Sequence, residues 1–181
     1  MKYIVKISLV IIYLLLIFYL IIPSKSFPEA IPGSLQSNEP ADVETSLRRA
    51  YFTDMSREEV LSYYQNQFEK FDFLGIKIPT LRLNYPPEEA QTLIRDQTRS
   101  TFLEEIVHPV RESLFINGFE PSEDKDTIVV DGKTWKQKVT VRFIPSNVYL
   151  RVFIGLLIIV TTEILLNEIL NTIKKLKRNN D

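Results

Sequence analysis

Two apolar stretches, one near each end, constrain this chain more than any other feature. The first runs from Ile7 to Ile22 without a charged residue and reaches twenty residues when counted from Tyr3. A helix of about 20 apolar residues crosses a hydrocarbon core of about 30 Å, because each residue rises 1.5 Å. Its many Leu and Ile residues outweigh Lys6, whose long stem reaches the headgroups. The sequence therefore predicts a transmembrane helix over residues 1–22.

A cleaved signal peptide is the alternative for this first stretch. Met1–Lys6 then form the basic region and Ile7–Ile22 the apolar region. Signal sequences have apolar regions of about 7–15 residues followed by a small-x-small cleavage site. Here the apolar run is longer, and cleavage after Ser26 would leave Pro28 beside the new N-terminus. An uncleaved anchor is favoured, and removal of residues 1–26 stays open.

The second stretch, residues 148–166, is nineteen residues long and carries Arg151 and Glu163 toward its ends. A charge costs about 3 kcal/mol at the bilayer centre and much less near the surface. The basic residues that follow are Lys174, Lys175, Lys177 and Arg178. We predict a second span over 148–166 and a basic tail over 167–181 whose cations contact the cytoplasmic membrane surface.

Charge is distributed unevenly between the ends and the middle. Residues 23–147 carry 15 Lys and Arg against 20 Asp and Glu, a net charge of −5, whereas the two ends together carry 7 against 3, a net charge of +4. Basic residues flank membrane spans on the cytoplasmic side. The pattern predicts an integral protein of a prokaryotic plasma membrane, with both termini cytoplasmic and the central domain outside.

Residues 23–42 contain four prolines and several small polar residues. This composition is typical of an extended linker, and a strap along the domain surface is the alternative. Residues 43–147 then form the domain. The whole chain has no cysteine, which excludes disulfides, thiolate catalysis and cysteine metal sites.

The domain pattern predicts an α+β fold, with helices on a mainly antiparallel sheet. Ser56 and Glu59 form a capping-box pattern, and apolar residues follow at helical spacing. A second helix is predicted from Pro86 to about Phe102, with proline at its start and acidic residues in its first turn. Strands are predicted over 43–53, 76–85 and 111–119, and a hairpin over 127–130 and 133–143 turns at Asp131-Gly132.

Candidate chemistry in the domain is sparse. His108 is the only histidine, and a general base there could use Glu104, Glu105 or Glu112 as its partner. Gly132-Lys133-Thr134 lacks the upstream glycine of a phosphate-binding loop. The acidic run from Glu120 to Asp131 lacks the order of a calcium-binding loop. Arg48, Arg49 and Arg57 form a small basic patch, but the negative domain argues against nucleic acid. We predict no catalytic residue, cofactor or metal.

Glu163 is the most unusual residue of the second span. It lies six residues from the midpoint of 148–166, about 9 Å along a helix. Since Lys6 enters the first span from the same side, we predict an interhelical contact between Lys6 and Glu163. Apolar residues then recur at heptad-like spacing at Leu166, Ile169, Ile173 and Leu176, so a homo-oligomer is possible through the tail.

These features predict a non-enzymatic, membrane-tethered extracytoplasmic interaction module. Its partners would be the lipid bilayer and other membrane or envelope proteins, as a subunit or accessory protein of a cell-envelope complex. A sensor or regulator that signals through the second span is the first alternative, and a membrane-proximal hydrolase is the second.

Overall fold

In a computed structural model, the protein is described over residues 2–70, 77–86 and 100–180. The chain divides into two compact units, Met1–Ser24 with Ser146–Asp181, and Lys25–Pro145. In chain order the elements are α1 (Lys2–Ile21), β1 (Leu35–Gln36), β2 (Arg48–Thr53), α2 (Arg57–Glu69), β3 (Leu81–Tyr85), β4 (Phe102–Val107), β5 (Ser113–Phe119), β6 (Ile128–Val130), β7 (Lys133–Trp135), β8 (Gln137–Ile144) and α3 (Val148–Asn180).

The first unit is a pair of long apolar helices, α1 and α3, each long and apolar enough to cross a membrane. Most of their large apolar side chains are exposed, including Leu14 and Leu157. Where the helices meet, a Cβ on Gly155 would lie 2.3 Å from Leu20 Cδ1, so glycine permits this close approach. Helix α3 has 33 residues and continues beyond Leu166, the predicted end of the second span, because no proline or glycine interrupts it after that point.

The second unit is built on a six-stranded sheet with the order β1-β2-β8-β5-β4-β3, in which every neighbouring pair is antiparallel. The predicted α+β class with an antiparallel sheet is confirmed. One sheet face packs against α2. Its buried core consists of Ile31, Tyr51, Val60, Leu61, Tyr64, Phe68, Phe102, Ile106, Leu114, Ile116, Val139, Val141 and Phe143.

Helix α2 begins as the local sequence predicts. Ser56 accepts a hydrogen bond from the Glu59 backbone N–H, and the Glu59 carboxylate accepts one from the Ser56 backbone N–H at 2.6 Å. This reciprocal capping satisfies two N–H groups that the first turn would leave without partners. The stripe at helical spacing is buried at Val60, Leu61, Tyr64 and Phe68.

The hairpin at Asp131-Gly132 forms, with positive φ at both residues (52° and 74°), as a two-residue hairpin turn requires. The predicted strand over 133–143 is divided, however. The Lys136 backbone N–H donates to Asp54 Oδ1 at 3.3 Å, and the chain re-enters the main sheet as β8 from Gln137. The hairpin β6-β7 is therefore a separate two-stranded sheet.

The predicted helix over 86–102 lies mostly on residues 87–99, outside the described residues. Its predicted end is wrong, because Phe102 begins β4, a strand that periodicity did not reveal. The sequence FLEEIV places two carboxylates at its centre, and such a run is atypical of a buried strand. Opposite it on β5, Gly118 accommodates the Phe102 ring, which a Cβ would meet at 2.0 Å.

Residues 25–42 run along the second unit as a strap. Ile31 is buried in the core, and β1 pairs with β2. The Tyr63 hydroxyl donates to Ala30 O at 2.7 Å, and buried Asp42 pairs with Lys138 at 2.7 Å. The prolines therefore shape a segment that packs on the domain, where an extended spacer would make no such contacts.

Candidate functional site

A buried carboxylate, Glu104, organises the sheet edge formed by β3 and β4. Its side chain is fully buried and accepts hydrogen bonds from two guanidinium groups. The Arg57 Nε–Glu104 Oε1 distance is 2.8 Å, and the Arg82 Nη2–Glu104 Oε1 distance is 3.0 Å. Glu58 also binds Arg82 through two 3.1 Å contacts, and Asn84 accepts from Arg57 at 3.2 Å.

This five-residue charged cluster joins the start of α2 to β3 and β4. Hydrogen bonds to the two carboxylates raise the pKa of Arg82, and the hydrogen bond from Arg82 lowers the pKa of Glu58. Arg57 also lies over the Phe102 ring at 4.9 Å. Two cations balance two anions, so the cluster holds the edge strand without a net local charge.

On the side opposite the charged cluster, β3 exposes two leucine side chains to solvent. Leu81 and Leu83 alternate with the clustered Arg82 and Asn84, and their side chains are 55% and 42% exposed. β3 is the last strand of the sheet, and its outer edge has no strand partner in the part of the chain that the structure describes. A strand at such an edge presents unpaired backbone donors and acceptors to another chain. Within the described residues, charges hold the Arg82 and Asn84 face of β3, while Leu81 and Leu83 on the other face are exposed and the outer edge has no strand partner.

His108 is a core residue. It is 1% exposed, its Nε2–H donates to Phe68 O at 2.9 Å, and its ring stacks on the Phe68 ring with centroids 4.7 Å apart. Burial lowers its pKa. Among the hypothesised partners, Glu104 is bound by arginines and Glu105 accepts from the Tyr85 hydroxyl at 2.6 Å. The structure does not assemble these groups around an accessible imidazole.

The loop after His108 is locally strained. Val110 has a φ of 63°, which is unusual for a β-branched residue, and it is 63% exposed. Beneath it, Glu112 is fully buried and accepts from Arg111 Nη2 at 2.7 Å. The His108 backbone N–H donates to Glu112 O at 3.0 Å. Such strain occurs at functional sites, but here the charged groups are enclosed in a tight turn.

The other sequence-level candidates occupy ordinary surface positions. Lys133, in the glycine-lysine-threonine segment, pairs with Asp54 at 2.7 Å. In the acidic run, Lys125 pairs with Glu123 at 2.7 Å, and Lys136 lies 3.6 Å from Glu120. Over the ranges that the structure describes, no three acidic or histidine side chains converge as metal ligands.

The basic patch is similarly divided. Arg57 belongs to the charged cluster, Arg48 pairs with Glu44 at 3.7 Å, and Arg49 donates to Thr45 O at 2.9 Å. A cavity of about 240 Å³ lies between Lys25–Glu29 of the strap and the end of α2. Its volume is below the range of roughly 300–1,000 Å³ that is typical of small-molecule pockets.

In the helical unit, Arg151 caps the end of α1. It is 3% exposed, its Nε–H donates to Leu20 O at 2.6 Å, and its guanidinium also donates to Ile22 O. A third bond of 3.0 Å reaches Ser24 Oγ, and the Ser24 hydroxyl donates to Ser146 O at 2.8 Å. The carbonyls at a helix end need donors, and a cation is favoured there by the helix dipole.

Glu163 lies beside the Tyr13 hydroxyl, on the partly buried side of α3. That hydroxyl is buried and forms no hydrogen bond of full geometry. Lys6 is exposed and seven residues from Tyr13, about 10 Å along α1. The structure does not bring Lys6 and Glu163 together: the described residues include no ion pair between them. An interhelical contact between Lys6 and Glu163 stays a prediction.

The basic tail is helical. Lys174, Lys175 and Arg178 are exposed on the last turns of α3, and the side chain of Lys177 lies outside the described residues. The heptad-like positions after Leu166 are also exposed, with Ile169 at 54% and Leu176 at 59%. Contact of this tail with a membrane surface or with a second copy stays a prediction.

Sequence reasoning missed the roles of Glu104 and Arg151. Glu104 is held by residues 47 and 22 positions away, and Arg151 by carbonyls about 130 positions away. An indirect signal existed in each case: a charged residue stands within an otherwise apolar run. Comparison with protein families, curated proteins and solved structures gives no match to this chain. The class is therefore defined by the structure: an apolar helical pair joined to an antiparallel α+β domain.

Proposed function

We propose that this chain is a two-span membrane protein whose extracytoplasmic domain binds a partner protein along β3, as an accessory subunit of a cell-envelope complex. The observation that carries the proposal is the open edge strand with exposed Leu81 and Leu83, held in place by the charged cluster beneath it. The partner would contribute an extended segment that adds to the sheet, with an apolar residue beside each leucine.

Several features support this edge as a binding surface. Pro79 and Pro86 flank β3 and limit it to five residues, which discourages unspecific edge-to-edge pairing and restricts a partner to one short extended segment. The buried Glu104 anchors Arg82, so the strand is ordered before a partner arrives. Preordered edges bind with a smaller entropic cost.

Membrane anchoring is the second part of the proposal. The helical pair leaves apolar side chains exposed all around, a surface that is costly in water and suited to lipid. The charge difference between the ends and the middle supports cytoplasmic termini. A regulator that signals through α3 is a second candidate, because α3 begins four residues after β8 ends and continues for 33 residues without a break.

The absence of cysteine allows a clean test of topology. Single variants Val129→Cys, in the domain, and Lys175→Cys, in the tail, are treated with a membrane-impermeant maleimide in intact cells. We expect the thiol at position 129 to react in intact cells and the thiol at position 175 to react only after the membrane is permeabilised. Labelling in the reverse order, or recovery of the chain in the soluble fraction, would overturn the anchoring and orientation.

The binding surface is tested by site-specific photocrosslinking in native membranes. A benzophenone amino acid replaces Leu83 (42% exposed), or Val129 as a control that is more exposed on the separate hairpin (60%). We expect one discrete crosslinked protein from position 83 only, and its loss when Arg82→Met and Glu104→Met together release β3. Equal crosslinking at both positions, or none at position 83, would refute the β3 interface.

A further inference from the structure

We propose that Glu163 is a docking point within the membrane for a partner helix that carries a Lys or Arg side chain at mid-depth. The inference depends on the membrane-spanning part of the proposed function and is independent of the β3 interface. Glu163 is partly exposed, lies near the centre of an apolar helix segment, and is separated along the axis from the cations of the described helices.

The packing of the two helices fixes the depth. Gly155 of α3 contacts Leu20 of α1, and the helices run in opposite directions from that point. Eight residues along α3 reach Glu163, and seven residues back along α1 reach Tyr13, so both lie about 10–12 Å from the contact. Tyr13 is at the centre of the apolar segment Ile4–Ile21, and Glu163 is near the centre of Val148–Leu176.

This depth differs from the sequence-based estimate, because α3 extends beyond Leu166. A carboxylate at the centre of a span costs several kcal/mol on most scales. Glutamate is also shorter than lysine or arginine, so it cannot reach the headgroups from there. Tyr13 supplies at most one neutral donor for two carboxylate oxygens. The Tyr13 hydroxyl therefore leaves an ionised Glu163 side chain without a compensating positive charge.

Within the described part of the helical unit, no cation is placed to complete it. Arg151 is committed to the end of α1 and is twelve residues from Glu163, about 18 Å along the helix. Lys6 is exposed about 10 Å from the level of Tyr13, and Lys174 is eleven residues from Glu163, about 16 Å. The remaining basic residues of these helices lie at least as far along the axis as Lys174.

The position of Glu163 favours an external partner. Its side chain is partly exposed at the margin between the α1 contact and the outer surface of α3, which is where a third helix would pack. The hydroxyls of the neighbouring Thr161 and Thr162 donate to backbone carbonyls of α3, at Leu157 and Ile158. They therefore do not donate to the Glu163 carboxylate. A positive side chain on an approaching helix would form an ion pair with the carboxylate. The attraction between the two charges would offset the cost of keeping each of them in the membrane.

The test uses a synthetic transmembrane peptide of leucine with one central lysine, and a matched peptide with leucine at that position. The full chain, labelled in its tail, is reconstituted in phosphatidylcholine vesicles, and energy transfer to each peptide is titrated. We expect the wild-type chain to bind the lysine peptide about ten-fold better than the leucine peptide, in the range of polar contacts between membrane helices. Glu163→Gln should remove this preference, and Lys6→Gln should preserve it.

Each other outcome overturns the proposal. Equal binding of both peptides, or a preference that survives Glu163→Gln, shows that Glu163 is not the docking point. A preference that appears only in Lys6→Gln shows that Lys6 occupies Glu163 within the chain. Energy transfer between two labelled copies, lost in Glu163→Gln, identifies a second copy as the occupant. Resistance to alkaline extraction is measured in parallel, so failure of insertion is distinguished from failure of docking.

Discussion

Replacing Glu104 with glutamine tests whether the charged cluster holds the edge of the sheet. Glu104 is fully buried and shared by two arginines, with Arg57 Nε at 2.8 Å and Arg82 Nη2 at 3.0 Å from its Oε1. Glutamine has nearly the same shape, so packing is preserved. The substitution removes the negative charge and one acceptor oxygen, and it directs an amide N–H toward two guanidinium groups.

The expected magnitude follows from burial. Removing one partner of a buried ion pair costs about 3–5 kcal/mol, because the other charge is left without compensation. Here the arginine side chains are 36% and 34% exposed, so water replaces part of the lost interaction. Glu58 also continues to bind Arg82. We therefore expect Glu104→Gln to lower the free energy of unfolding of the domain by about 2–3 kcal/mol.

The assay follows fluorescence of Trp135, the only tryptophan and 7% exposed, during urea unfolding of the full chain in a non-ionic detergent. Glu105→Gln is the matched control, because its amide oxygen still accepts from Tyr85, and it should cost less than about 1 kcal/mol. Hydrogen exchange should increase first in β3 of the Glu104 variant. Equal stability of the two variants would refute the argument that burial and shared arginines distinguish Glu104.

Two further predictions concern Arg151 and His108. Arg151→Met removes the donor to the carbonyls of Leu20 and Ile22, so the rate of hydrogen exchange over residues 20–24 should rise about ten-fold. The control Arg178→Met should leave that rate unchanged. Equal rates in the two variants would contradict the capping role of Arg151. Burial lowers the pKa of His108, which faces Phe68, Arg111 and Glu112, so the unfolded chain binds the proton more readily. The contribution of this histidine to the stability of the domain should be complete above pH 6.5 and fall as the pH drops below 6.5, by at most about 1.4 kcal/mol per pH unit. If the urea midpoint of His108→Gln falls with pH as much as that of the wild-type chain, His108 is not the cause of the pH dependence.

Features set by neighbouring residues were predictable from the sequence. The capping box at Ser56, the buried stripe of α2 and the turn at Asp131-Gly132 each depend on residues within one or two turns of each other. The apolar helices also follow from local composition. Strand β4 was not predictable in this way, because Glu104 and Glu105 give it a polar centre. Distant residues make that sequence compatible with a strand of the sheet: Arg57 and Arg82 pair with Glu104, and the Tyr85 hydroxyl donates to Glu105.

The same distinction separates the parts of the candidate sites. Position 163 is identifiable as unusual from sequence alone, since a carboxylate in a membrane span requires a partner. The residue of α1 that lies beside Glu163 cannot be identified from the sequence, because it depends on which face of α3 packs against α1. The close approach at Gly155 fixes that register and places Tyr13, rather than Lys6, beside the carboxylate. Helix register therefore decides which side chain of α1 lies at the level of Glu163.

Three charged residues in costly environments lead to different conclusions. Glu104 has two guanidinium partners within the domain, and Arg151 has three oxygen acceptors at the end of α1, so both are explained by the fold itself. Among the described residues, Glu163 has only a neutral hydroxyl beside it. A buried charge that the fold satisfies contributes to structure, whereas a charge that the fold leaves incomplete depends on another molecule or on protonation. By this criterion, we expect a partner that pairs with Glu163 to stabilise the helical pair more than a partner at Glu104 or Arg151 would stabilise the fold.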